Sequence, residues 1–188
     1  MLALSRHAPL AVVLCLIPAR GLSSPPRREL PLYCAGIVVG MSKEPDVRRM
    51  YGDGFFVADE GHAGGRYYVD PRRQVTLHVT TGVDRVIESV TYSRGVRLPA
   101  GSGEPALKRA SAPKLTADEH FGSGHRLGDT AAEIRRQLGK PDQERRRGAA
   151  RVLRYETDYE TTPYVLYYEL ELRFYQDRLV SVQLYNGE

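Results

Sequence analysis

The chain has 188 residues, 41 % hydrophobic and 27 % charged, with two cysteines and a formal net charge of +4. That balance supports a packed core and excludes both a disordered polyelectrolyte and a disulfide-built scaffold. The positive excess is too small to form the extended basic surface that nucleic acid selects, so no nucleic-acid partner is expected.

Residues 1–21 read as a secretory signal peptide. Arg6 precedes an apolar run at 8–17, Pro18 breaks the run, and Ala19 and Gly21 are small residues where a signal peptidase cuts. The run is shorter than the roughly 20 apolar residues a membrane-spanning helix needs, and no later run is longer. Cleavage lowers the charge from +4 to +2, because Arg6 and Arg20 leave and no acid does. It also removes Cys15 and leaves Cys34 alone, as a free thiol, a bridge to another chain or a lipid attachment site. Bulky Leu14 precedes Cys15, and charged Arg27, Arg28 and Glu29 lie upstream of Cys34, so neither fits lipidation and a membrane anchor is not expected. Residues 22–35, which include SSPPRRELP, read as a flexible leader.

A first module is expected over residues 36–95. Its helix lies in GMSKEPDVRRMYGDG at 40–54, where Val47, Met50 and Tyr51 share one face and Gly52 and Gly54 end the helix. Either Ser42 or Glu44 serves as N-cap, since Pro45 prefers the first helical position. Gly61, Gly64 and Gly65 predict a loop from 55 to 66. Strands follow at 67–69, 74–81 and 85–92, the second alternating Val75, Leu77 and Val79 against Thr76, His78 and Thr80. Residues 96–114, rich in glycine, proline, serine and alanine, read as a linker with some helical tendency near Ala106 to Ala110.

The second module, residues 115–188, opens on GDTAAEIRRQLGKP at 128–141. Thr130 caps this helix with Glu133 as capping-box partner, Ile134 and Leu138 share a face, Gly139 takes the left-handed position and Pro141 prevents continuation. Strands are predicted at 151–156, 164–175 and 178–185. The earlier helix echoes this one, and Ile87-Glu88-Ser89-Val90 aligns with Leu179-Val180-Ser181-Val182. The expected fold is therefore α+β: two repeated modules, each a short helix on a mainly antiparallel sheet of three or four strands. The alternative is one continuous domain whose helices match by chance.

On Gly40, Ser42, Val47, Tyr51 and Gly52 in one copy, and Gly128, Thr130, Ile134, Leu138, Gly139 and Pro141 in the other, the pattern resembles the SmpA/OmlA (BamE-like) envelope domain. It is also similar to the β-lactamase inhibitor proteins, whose tandem modules present a sheet to a partner. These are fold-forming positions, so the resemblance implies an exported αβ protein of the envelope and transfers no contact residue.

Seven of the twelve tyrosines lie between Tyr155 and Tyr185. On the outward face of the last two strands, Tyr167, Glu169, Glu171, Arg173, Tyr175, Leu179, Gln183 and Tyr185 are expected to line one binding surface for another protein of the envelope or exterior. Tyrosine brings large contact area with a polar tip at low entropic cost; the plainer account is that it simply favours strands. The arginines between 135 and 154 could dock an anionic polymer, although acids beside them favour local pairing. Asp59, Glu60 and His62, and Asp118, Glu119, His120 and His125, lack metal-ligand spacing, so no metal, cofactor or catalytic residue is assigned. Gly61 to Gly65 does not lead a strand into a helix as a phosphate loop would, and Ser123 lacks nucleophile-elbow spacing. The expected function is an exported, non-enzymatic binding module. The alternatives are a small envelope hydrolase using His62, His120 or His125 with an acid, and a lipid-anchored structural protein.

Overall fold

The computed structural model describes residues 30–59, 62–82, 84–115, 119–122, 124–161 and 164–187. The expected signal peptide, Glu60, Asp118 and Ser123 fall outside them. In chain order the first elements are β1 (Tyr33–Cys34), β2 (Ile37–Val38), α1 (Glu44–Tyr51), β3 (Phe55–Asp59), β4 (His62–Asp70), β5 (Val75–Thr81) and β6 (Ile87–Arg94). They are followed by α2 (Gly103–Ala110), β7 (His120–Phe121), β8 (His125–Arg126), α3 (Ala131–Leu138), β9 (Gln143–Arg147), β10 (Ala150–Thr161), β11 (Tyr164–Tyr175) and β12 (Arg178–Gly187).

The expected α+β fold of two repeated helix-on-sheet modules is corrected by the strand pairing. The protein is mostly β: among the described residues twelve strands, all paired antiparallel, form one sheet ordered β3-β4-β5-β6-β12-β11-β10-β9 and a small one ordered β2-β1-β7-β8. The reason is the junction between β6 and β12, where Ser181 faces Ser93 and Tyr185 faces Ser89 in continuous register. Pairing there removes two open edges, each a row of unsatisfied backbone groups, and joins what would have been separate sheets. Strands β3 and β9 extend this sheet at its two ends. The residues of β3 had read as a glycine-punctuated loop and those of β9 as a charge run, because edge strands need no apolar alternation.

One face of the large sheet holds the core. A lateral row of Val79, Val90, Leu184, Leu170 and Tyr155 crosses five strands with every member buried. Val47 and Tyr51 of α1, Ala131 and Ile134 of α3, and Cys34, Ile37 and Phe121 of the small sheet belong to the same cluster. Burial of such aliphatic and aromatic side chains contributes roughly 1.5–3 kcal/mol each. Leu30, Cys34 and Ala35 are buried too, so the end of the expected leader is part of the core.

Both longer-read helices end as predicted. The N–H groups of Gly52 and Gly139 donate to the carbonyls of Arg48 and Arg135, and both glycines have positive φ, at 91° and 76°. Their starts differ. At α3, Thr130 Oγ1 accepts from the Glu133 N–H at 3.3 Å, and Glu133 accepts from the Thr130 N–H at 2.7 Å, completing the capping box. At α1 the N-cap is Lys43, the residue between the two candidates. Ser42 instead accepts from the Val38 N–H, and buried Glu44 receives Arg66 of β4 and Arg85 of the β5–β6 turn at 2.5 and 2.6 Å. Burial opposes ionisation of Glu44, but hydrogen bonds from Arg85 and Arg66 outweigh it and hold the carboxyl below its ordinary range.

The expected linker is a packed element. Thr76 Oγ1 on β5 donates to the Gly95 carbonyl at 2.7 Å and accepts from the Arg97 N–H at 2.9 Å, which ties this segment to the face opposite the core. Farther on, α2 buries Ala106 and Ala110, and the Ala112 N–H donates to the Val69 carbonyl of β4. Among the described residues no helix is long and apolar enough to cross a membrane.

Candidate functional site: the outer face of the large sheet

Opposite the core, one lateral row runs Tyr67, His78, Thr91, Gln183, Glu171, Arg154 and Gln143 across seven strands. Its chemistry changes at β12. Toward β11 and β10 the row carries the charged pair Glu171 and Arg154; toward β4 it carries Thr91, His78 and Tyr67, none of which is an acid, arginine or lysine.

Seven of the eight expected contact residues lie on this face. Tyr185 sits opposite Glu169, Gln183 opposite Glu171, and Gly187 opposite Tyr167. Leu179 does not join them. A bulge shifts the register so that Arg173 faces Ser181 while Phe174 faces Leu179, and the extra residue turns Leu179 into the core, where it is fully buried. Tyr175 is 55 % exposed, Tyr185 42 % and Val165, on the same face, 59 %, so the surface has a substantial apolar component. A methyl on Gly187 would lie 2.9 Å from Tyr185 and 3.3 Å from Tyr167, which shows that both rings rest over this glycine.

Beside the tyrosines the charges answer one another. Arg154 reaches Glu169 at 3.2 Å and Glu171 at 3.0 Å, and Arg173 reaches Glu171 at 2.7 Å. Burial disfavours the Glu171 carboxylate, yet hydrogen bonds from Arg173 and Arg154 prevail and keep it ionised below the usual range. Tyr167 donates to Glu169 at 3.4 Å, and burial followed by the charges of Glu156 and Glu169 pushes its phenol up to about 12. Within this ladder two arginines balance two glutamates, and it holds the tyrosine surface in place.

On the other side lies a cleft of about 640 Å³ whose lining includes Tyr67, His78, Thr80, Ser89, Gln183 and Tyr185. The His78 ring stacks on Tyr67 at 4.1 Å, and the Thr80 and Ser89 hydroxyls share a hydrogen bond of 2.7 Å. Gly65 forms its floor: a methyl there would sit 2.5 Å from His78 Nε2, so only glycine leaves the imidazole its place. Burial holds the His78 pKa down to about 4, and the ring is neutral at physiological pH. This site was missed from sequence because its groups come from strands far apart in the chain. The available signal was the polar run Thr76, His78 and Thr80 alternating with the core residues of β5.

The other expected chemistries are not assembled. His120 is exposed and packs at 5.5 Å against Tyr33, whereas His125 is buried on the opposite face of the small sheet, its Nδ1 3.3 Å from Asp129. The side chains of Asp59 and His62 lie outside the described set. Among the described residues no group of three metal-ligating side chains comes together. Cys34 is buried, and burial followed by the charge of Glu119 raises its thiol to about 12, so it packs as a small apolar group. That burial withholds it from both a bridge and a lipid. The arginines of the 135–154 segment are largely engaged: Arg135, Arg146 and Arg151 meet Glu144, and Arg151 also meets Asp177.

No protein-family model matches the chain, and no curated protein matches it. Among solved structures it is similar to a DUF4309 family protein, YjgB, from Bacillus subtilis, at 17 % identity and a TM-score of 0.42, over 81 % of this chain and 83 % of that one. So distant a likeness bears on neither function nor site.

Proposed function

We propose that the protein is an exported, non-enzymatic binding module that takes another protein of the envelope or exterior on the outer face of β10, β11 and β12. The observation that carries this reading is the exposure of Tyr175, Tyr185 and Val165 on an open sheet face whose charged neighbours are already paired. Exposed aromatic side chains held on a rigid scaffold give contact area without the entropic cost of ordering it, and such residues dominate binding energy at interfaces. Internal pairing of Arg154, Glu169, Glu171 and Arg173 means that covering them does not strand a lone charge. The apolar run at 8–17 with its small residues at 19 and 21 supports export.

The test is affinity capture from cell-envelope extract, comparing the protein with a Tyr175→Ala, Tyr185→Ala double variant. The reading expects a stoichiometric partner retained by the first and lost by the second, with stability changed by no more than about 0.5 kcal/mol per site. Equal retention by both proteins would contradict it.

A further inference from the structure

The cleft between β4, β5, β6 and β12 contains polar groups that the protein leaves unmatched. Neither ring nitrogen of His78, nor the Gln183 amide, nor the Tyr185 hydroxyl has a hydrogen-bond partner among the described residues. These groups line an open cleft and remain available to a ligand that supplies several hydrogen-bond partners at once. The pattern contrasts with β10 and β11, where polar side chains are satisfied internally.

The kinds of group present narrow the ligand. Neutral imidazole, carboxamide and phenol each offer both a donor and an acceptor. A ligand whose own groups also do both matches them, and hydroxyls are such groups. Tyr67 and Tyr185 add ring surface suited to a C–H face. Among the described residues no arginine or lysine lines the cleft and Glu88 is its one carboxylate, so an anionic ligand would meet repulsion without compensation. An apolar ligand would seal the unmatched groups away from any partner. We propose that this cleft binds a neutral saccharide, with His78 and Gln183 exchanging hydrogen bonds with its hydroxyls and Tyr67 and Tyr185 lying against its C–H surface. The inference goes beyond the protein-binding reading: the two surfaces share Tyr185 and Gln183 of β12, but His78, Tyr67 and Gly65 belong to the cleft alone.

The experiment is an NMR titration of the full chain with a panel of neutral trisaccharides: the N-acetylglucosamine trimer, cellotriose and maltotriose. A galacturonic acid trimer and an uncharged alanine-serine tripeptide serve as comparators. At least one neutral sugar should shift the amide resonances of Gly65, His78 and Gln183 saturably. His78→Ala and Gln183→Ala should each weaken that binding about tenfold, the loss expected for one hydrogen bond. Gly65→Ala should abolish it by displacing the imidazole. Should His78→Ala fail to fold, Gln183→Ala carries the test, because that side chain is only half-buried. The proposal is overturned if no neutral sugar shifts these resonances, if the shifts persist unchanged in Gln183→Ala, or if the acidic sugar or the peptide binds there more tightly.

Discussion

On β10 and β11 the outward side chains are charged and satisfy one another, Arg154 bridging Glu169 and Glu171 while Arg173 closes on Glu171. On β4, β5 and β6 they are uncharged except for Glu88, and in the cleft His78, with Gln183 and Tyr185 of β12, has no hydrogen-bond partner among the described residues. Both regions belong to one sheet and one lateral row, with β12 supplying Tyr185 and Gln183 to each. A single backbone scaffold can therefore carry two kinds of surface. A self-paired region is suited to being covered by a flat partner, whereas an unmatched region is suited to a ligand that completes it.

The strongest way to break the comparison is to cut the scaffold both regions share. Leu184 faces Val90 on one side and Leu170 on the other, and all three are buried. Leu184→Ala should cost about 2–5 kcal/mol, read by urea denaturation, and should shift one transition seen alike by circular dichroism and tyrosine fluorescence. Two transitions, of which one moves, would mean that the halves fold separately.

A second prediction separates the halves by pH. His78 stays neutral in the fold down to about pH 4, while in the unfolded chain it protonates near its ordinary value of 6.5. Below that value the unfolded state binds the extra proton, so the folded state loses stability as pH falls from 6.5 toward 4. At pH 5 the loss is about 2 kcal/mol. It precedes the titration of the paired carboxylates, which lies lower. His78→Gln should remove the decline between pH 7 and 5, and melting temperatures of the two proteins at those values check it.

The smallest effect belongs to the charged side. Glu171→Gln leaves Arg154 and Arg173 without their shared carboxylate and should cost about 1 kcal/mol, a difference that shrinks as sodium chloride is raised. The same salt series should leave the His78→Gln difference at neutral pH unchanged.

Local signals were legible in the sequence, and non-local ones were not. The capping box at Thr130 and Glu133, the glycine stop at 139 and the alternation of Tyr164–Tyr175 are all properties of neighbouring residues, and each stands in the structure. What joins the sheet is the β6–β12 pairing, between segments some ninety residues apart, and nothing local specifies it. Glu44 shows the same limit: its partners Arg66 and Arg85 are 22 and 41 residues away, so it read only as a capping candidate. Leu179 was placed outward because the alternation that holds for Gln183 and Tyr185 was carried back through a bulge, and one extra residue inverts the assignments on its far side. The charged edge strand β9 carries no apolar period, since a strand paired on one side and exposed throughout needs none.

Site-specific photocrosslinking in cell-envelope extract tests the central claim most directly. A photoreactive residue at 175 or at 185 reports on the outer face, and one at 136, exposed on α3, reports on the helix that packs against the core face. The account predicts one discrete protein adduct from 175 and from 185 and none from 136. An adduct of the same size from 136, or none from 175 and 185, would contradict it.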